Sequence, residues 1–280
     1  MSGHRSEPPA VLVIAFEGWN DAGSAATAAV EILTTEWDAD LVLSVDGEDY
    51  YDLQVNRPVV SRDEEGNRTI SWPGTDVYSG TLPSGRTVVL MHSIEPSLRW
   101  GTFVAELLEI AGAYEVGEVY SLGALLADVP HSRPLPTNAT STSARVRRAL
   151  GLRESDYEGP TGIVGVFDAA AAESGLQSVS LWVSVPHYVA DMPSPKATLS
   201  LIEALASLLD EPVNLPELVE EARNWESTVT DLASESPEIT GYVAQLESNR
   251  DVAESPFATG DAIAAEFERY LRRQGGGGAS

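Results

Sequence analysis

The chain has 280 residues, with 17 Lys and Arg against 43 Asp and Glu, giving a formal charge of -26. That balance argues against nucleic acid and against an anionic membrane, since both need clustered cations. The absence of cysteine removes disulfides, thiolate nucleophiles, Cys-ligated zinc and iron–sulfur clusters.

Apolar residues make up 43% of the chain, enough for a sizeable core. No stretch is long and apolar enough to span a bilayer, and a cytoplasmic protein is the default expectation. Four regions are expected: a disordered N-terminus over 1–9, an α/β core domain over 10–193, a helical region over 194–273 and a flexible Gly-rich tail over 274–280.

Residues 10–16 form a continuous apolar run, as in a strand buried on both faces. The run breaks at Glu17-Gly-Trp-Asn-Asp-Ala-Gly23, and an alanine-rich helix follows over 24–37. Further strands are expected at 41–45, 87–91, 116–122, 163–167 and 176–185, with helices at 98–113, 140–150 and 169–174. Segments 59–62 and 68–72 flank a turn and read as a hairpin, an added antiparallel element. Along 176–185, Val179, Leu181, Val183 and Val185 alternate with Ser178, Ser180, Trp182 and Ser184. Repeated strand–helix–strand units imply an α/β fold, a mostly parallel sheet sandwiched by helices.

After residue 193 the apolar period becomes helical. Ser194-Pro195 reads as a cap with proline at the first helical position. Further helices are expected from Pro216, from Ser236-Pro237, and around Ile263, Phe267, Tyr270 and Leu271.

In open parallel sheets, ligands bind beyond the carboxyl ends of the strands. The unusual residues collect at those expected points: Glu17, Trp19 and Asp21 after the first strand, and His92 and Glu95 after 87–91. His131 and Arg133 follow 116–122, and His187 follows 176–185. The glycines at 18 and 23 open a helix, where backbone amides bind either an anion or a capping side chain. Asp21 is a helix cap or a base. The three histidines converge as acid–base groups or each brace a loop; a metal reading has no spacing support, because no His-x-x-x-His pair is present. Lys196, the only lysine, falls just inside a helix start, where a cation opposes the dipole and marks an anion site or a solvent-facing position. No cofactor is expected, and no catalytic constellation is recognisable.

Four motifs carry a resemblance. Phe16-Glu-Gly-Trp-Asn-Asp-Ala-Gly23, Pro130-His-Ser-Arg-Pro134, Tyr157-Glu-Gly-Pro-Thr-Gly-Ile163, and Leu181-Trp-Val-Ser-Val-Pro-His-Tyr188 with Pro195-Lys-Ala197 resemble the proteasome assembly chaperone 2 family in its actinobacterial branch. The resemblance spans roughly residues 10–250. It implies a fold similar to the nucleoside phosphorylase/hydrolase-like class, a helical C-terminal part, a homo-oligomer such as a trimer, and proteasome subunits as partners. Some relatives dock through a terminal tyrosine-containing tail. Here Tyr270-Leu271 is followed by Arg272-Arg-Gln and glycines, so docking of that kind is not expected.

Two functional readings follow. The first is a non-enzymatic oligomeric protein-binding module; the second is a small-molecule binder or enzyme for a nucleoside- or phosphate-type ligand, using the strand-exit loops. A third use for those residues is to brace a subunit interface, with Arg133 paired to Glu95. Residues 200–268 hold 16 acidic residues against Arg223 and Arg250, so more than half of the net charge sits in the helical quarter, as a solvated face or as a docking surface for a basic partner.

Overall fold

The computed structural model describes residues 8–63, 65–155 and 157–254. Its strands are β1 (Ala10–Glu17), β2 (Asp40–Asp46), β3 (Val59–Arg62), β4 (Arg68–Ser71), β5 (Gly74–Thr81), β6 (Thr87–Ile94), β7 (Val116–Ala127), β8 (Thr137–Thr140) and β9 (Gln177–Pro186). Between and after them lie α1 (Ala25–Glu36), α2 (Trp100–Ala113), α3 (Ala144–Leu150), α4 (Ile163–Glu173), α5 (Pro195–Leu209), α6 (Pro216–Ser234) and α7 (Pro237–Glu254).

Seven strands form one sheet in the order β2-β5-β6-β1-β7-β9-β8. The central four, β6-β1-β7-β9, are parallel, and β5, β2 and β8 add antiparallel pairs at the two sides. The continuous apolar run of β1 follows from this central place. Val11, Val13 and Ala15 face one core with α1 and α5, while Leu12, Ile14 and Phe16 face a second core with α2 and α4. Phe16 meets Phe103 and Phe167 there, with ring centroids 6.2 and 6.1 Å apart. Helix α5 starts as its sequence dictates: Ser194 accepts from the Ala197 amide and Pro195 occupies the first turn.

Three local expectations are corrected. Residues 163–167 are not a strand but the first turns of α4. Ile163, Val164, Phe167 and Ala171 all point into one core at helical spacing, and the short apolar run alone did not distinguish the two periods. The helix expected from residue 140 begins at Ala144, and Thr137–Thr140 is an edge strand instead. The antiparallel strands of the main sheet are β2, β5 and β8, whereas the expected hairpin, β3 and β4, makes a separate two-stranded sheet.

The two exposed elements lie together in the chain. Strand β2 is one edge of the sheet, and Leu41, Val42 and Leu43 are open to solvent. In the hairpin Val59, Val60 and Ile70 are exposed, as is Trp72 just after it.

Candidate functional site

The alternation along β9 builds the site. Val179, Leu181, Val183 and Val185 enter the core shared with α1 and α5. The other face presents Ser178, Ser180, Trp182 and Ser184 to a cavity of about 1420 Å³. Its other walls include the loop 18–24 after β1, Leu125 and Leu126 of β7, the strand β8, Arg147 of α3 with Glu154, the start of α4 and residues 190–193. It therefore opens beyond the carboxyl ends of the strands, where the parallel topology puts ligand crevices.

At the cavity floor Asp168 of α4 is buried, and its Oδ1 accepts from Ser121 Oγ at 2.6 Å and from Ser178 Oγ at 2.9 Å. Ser180 also bonds this carboxylate, and Trp182 Nε1 donates to Ser180 Oγ at 2.8 Å. Burial pushes the Asp168 carboxyl above the ordinary carboxylate range, against the opposing pull of the three serine hydroxyls. One face of Trp182 lies against Gly123, where a Cβ would come within 2.6 Å of the indole.

The loop after β1 is held by backbone and by two carboxylates. Asp21 caps α1: its Oδ1 accepts from the Ala26 amide at 2.7 Å, and Thr27 Oγ1 donates to its Oδ2. Burial raises its pKa, and the hydrogen bonds from Thr27 and Ala26 oppose that. The amides that a phosphate would need at this helix start are thus taken by the protein's own carboxylate. Glu95 acts likewise at α4, where its Oε1 accepts from the Ile163 amide at 2.9 Å and from Asn20 Nδ2 at 3.3 Å. Gly162 permits this closure, because a Cβ there would sit 2.0 Å from Asn20 Nδ2. Gly23, at φ 61°, packs so tightly on Ser194 that a Cβ would meet it at 2.9 Å.

His131, His187, Arg133 and Lys196 belong to a different place, a clasp that fastens α6 and α7 to the sheet. His131 is buried, and Tyr188 Oη lies 2.8 Å from both its backbone N and its Nδ1. Its Nε2 is 3.0 Å from Thr230 Oγ1, whose hydroxyl donates to the Glu226 carbonyl. Since the Tyr188 oxygen accepts from the His131 amide, its own proton serves Nδ1, which assigns the Nε2–H tautomer and a neutral ring. Burial lowers the His131 pKa, and the nearby Lys196 lowers it further against the charges of Glu226 and Glu247. Burial also pushes the Tyr188 hydroxyl up to about 12.

Lys196 Nζ donates to the His131 carbonyl at 2.6 Å and to Glu226, so it neither faces solvent nor awaits an anion. Arg133 makes a two-pronged bond to Asp251 at 2.8 and 2.9 Å and approaches Glu247 at 3.5 Å. The expected Arg133–Glu95 pair is replaced by these separate commitments to α7 and α4. His187 meets Asp128 at 3.3 Å, and its ring edges onto Tyr188 and Tyr242.

His92 stands apart, on β6 rather than in an exit loop, with Glu31 of α1 at 3.7 Å. The three histidines therefore do not converge: two flank Tyr188 and the third faces α1. Among the described residues no group of three or more His, Cys, Asp or Glu is placed to hold a metal ion. Of the nine candidates, Trp19 and Asp21 line the cavity, Trp19 at its exposed rim, while Glu17 ends β1 in solvent. Asp168 and the Ser–Trp face of β9 were missed, although the serine alternation was visible. The Tyr270-Leu271 segment lies outside the described residues.

No helix among the described residues is long and apolar enough to cross a membrane. No curated protein matches the chain significantly. Among solved structures, a PAC2 family protein from Streptomyces avermitilis is 47% identical, with a TM-score of 0.79, over 84% of this chain and 99% of that one. A Mycobacterium tuberculosis proteasome-assembly chaperone homologue is 45% identical, with a TM-score of 0.75, over 83% and 99%. Pyrococcus furiosus PbaA, an archaeal homolog of proteasome-assembly chaperone, shares the fold at 20% identity and a TM-score of 0.59, over 87% and 97%. The sequence profile of the PAC2 family matches residues 15–233. This chain belongs to the PAC2 family.

Proposed function

We propose that this protein is a proteasome-assembly-chaperone-like, non-enzymatic binding module that works in the cytoplasm as a homo-oligomer, with three copies the expected number. The observation that carries the reading is the exposed apolar edge. Leu41, Val42 and Leu43 on the edge strand, with Val59, Val60, Ile70 and Trp72 at the hairpin, leave large side chains in water beside unpaired strand backbone. Monomeric proteins usually blunt such edges, whereas association surfaces keep them. The Mycobacterium tuberculosis relative at 45% identity is a proteasome-assembly chaperone homologue, which supports the same class of partner.

Commitment of the polar groups supports the non-enzymatic part. Asp21 and Glu95 cap helices, and His131, Arg133 and Lys196 hold α6 and α7. A tagged full-length chain, captured from the cells that make it, is expected to enrich proteasome subunits well above an unrelated acidic control. Capture without such enrichment contradicts the proteasome role.

A further inference from the structure

The floor of the cavity holds a buried polar cluster. A carboxylate is buried there with three serine hydroxyls around it, and one of those serines is held by an indole that faces the same space. Buried carboxylates destabilise a fold unless a partner offsets their desolvation. Asp168 has hydroxyl donors as partners, and burial still dominates its protonation balance.

The charges around the cavity select the sign of a ligand. Asp21, Asp168, Asp191 and Glu154 line it against a single cation, Arg147. That arginine is spent on Glu154 at 3.0 Å and on the carbonyls of Ser141 and Thr142 at 2.8 and 2.9 Å. An anion entering here meets an excess of acidic side chains and a cation already engaged, while a cation reaching Asp168 offsets the desolvation that burial imposes. The indole sets the second requirement. With Gly123 against one face of Trp182, its cavity side offers a flat apolar surface and a negative ring face to a cation or an aromatic group.

We propose that this cavity binds a small aromatic or heteroaromatic amine, with its ammonium group on the Asp168 carboxylate and its ring against Trp182. The site stands apart from the apolar edge, so it survives or fails independently of the oligomeric reading. It also reverses the sign of the phosphate-type ligand expected from the glycine-containing loop.

The test uses the full chain and three probes in calorimetric titrations: 2-phenylethylamine, 3-phenylpropionate with a matched ring and opposite charge, and adenosine as a neutral nucleoside. The amine is expected to bind with a dissociation constant of about 1 mM or tighter, the range a fragment of this size can reach. The carboxylate is expected to bind at least about tenfold more weakly, because it meets like charge. Asp168→Asn keeps an oxygen for Ser121 and Ser178 and is expected to weaken the amine about tenfold or more through loss of a charge-assisted bond. Trp182→Leu provides a second variant with the carboxylate intact, and it too is expected to weaken amine binding. No amine binding to the wild-type chain, equal binding of the carboxylate, adenosine as the sole binder, or amine affinity unchanged in both variants would each overturn the proposal.

Discussion

Two polar regions of this molecule each centre on a buried group and are opposite in design. Around His131, each group has a specific partner on α6 or α7: Thr230 takes the ring, which Tyr188 also holds from the exit of β9, Glu226 takes Lys196, and Asp251 takes Arg133. Around Asp168, hydroxyls are gathered on one carboxylate at the bottom of an open cavity. The first arrangement holds two parts of the chain together, and its loss is a loss of structure. The second ties α4 to β7 and β9 beneath it, 47 and 10 residues away, and leaves its upper side to the cavity. Polar density alone therefore does not mark a site; where the partners lead decides it.

Substitutions separate the two regions by the size of their effect. Tyr188→Phe keeps the ring contacts but strands the buried His131 amide and Nδ1. It is expected to lower stability by about 2–3 kcal/mol, a typical penalty for unsatisfied buried groups, measured by urea unfolding. An unchanged midpoint would show that the clasp is not structural.

Acid is the next lever, and its sign is fixed. Burial lowers the folded-state pKa of His131 below its ordinary 6.5, so the unfolded chain binds that proton first as pH falls. The clasp contributes fully above pH 6.5 and is lost as pH falls through the folded value. Hydrogen exchange should show α6 and α7 opening more readily on acidification in that window, ahead of the central strands. Protection independent of pH there would contradict the neutral-ring assignment.

Arg133→Ala removes a partly exposed pair with Asp251 and Glu247. It is expected to cost under about 1 kcal/mol, and to cost less as salt rises, in the same unfolding experiment. The smallest change is expected at the cavity floor. Asp168→Asn should leave the unfolding midpoint unchanged or slightly raised, because it removes a buried charge while keeping an acceptor. A loss as large as that of Tyr188→Phe would place Asp168 with the clasp, as structure.

The sheet was readable because burial on both faces leaves no polar residue in the 10–16 run, and the serine alternation marked β9. Strand β8 was not readable: four residues, Thr-Asn-Ala-Thr, pair with β9 at the sheet edge and carry no apolar period. The apolar start of α4 imitates a strand, and only the Glu95 carboxylate from a distant loop shows where its helix begins. Histidines in exit loops suggested convergence, but the partners that fix their roles are far along the chain. Thr230 lies 99 residues from His131, and Asp251 lies 118 from Arg133. The serines of β9 were visible as filler on one strand face; their meaning came from Asp168, which helical geometry brings opposite them. The acidity of the helical quarter also gains a partial use, since Glu226, Glu247 and Asp251 meet Lys196 and Arg133.

The exposed apolar edge remains the feature on which the functional reading depends. Light scattering of the purified chain at micromolar concentration tests it directly, with Val60→Asp/Ile70→Asp as the comparison. A mass near three times the 29.9 kDa of one chain, falling toward a single copy in the double variant, is the predicted result. A wild-type mass of one copy would contradict it.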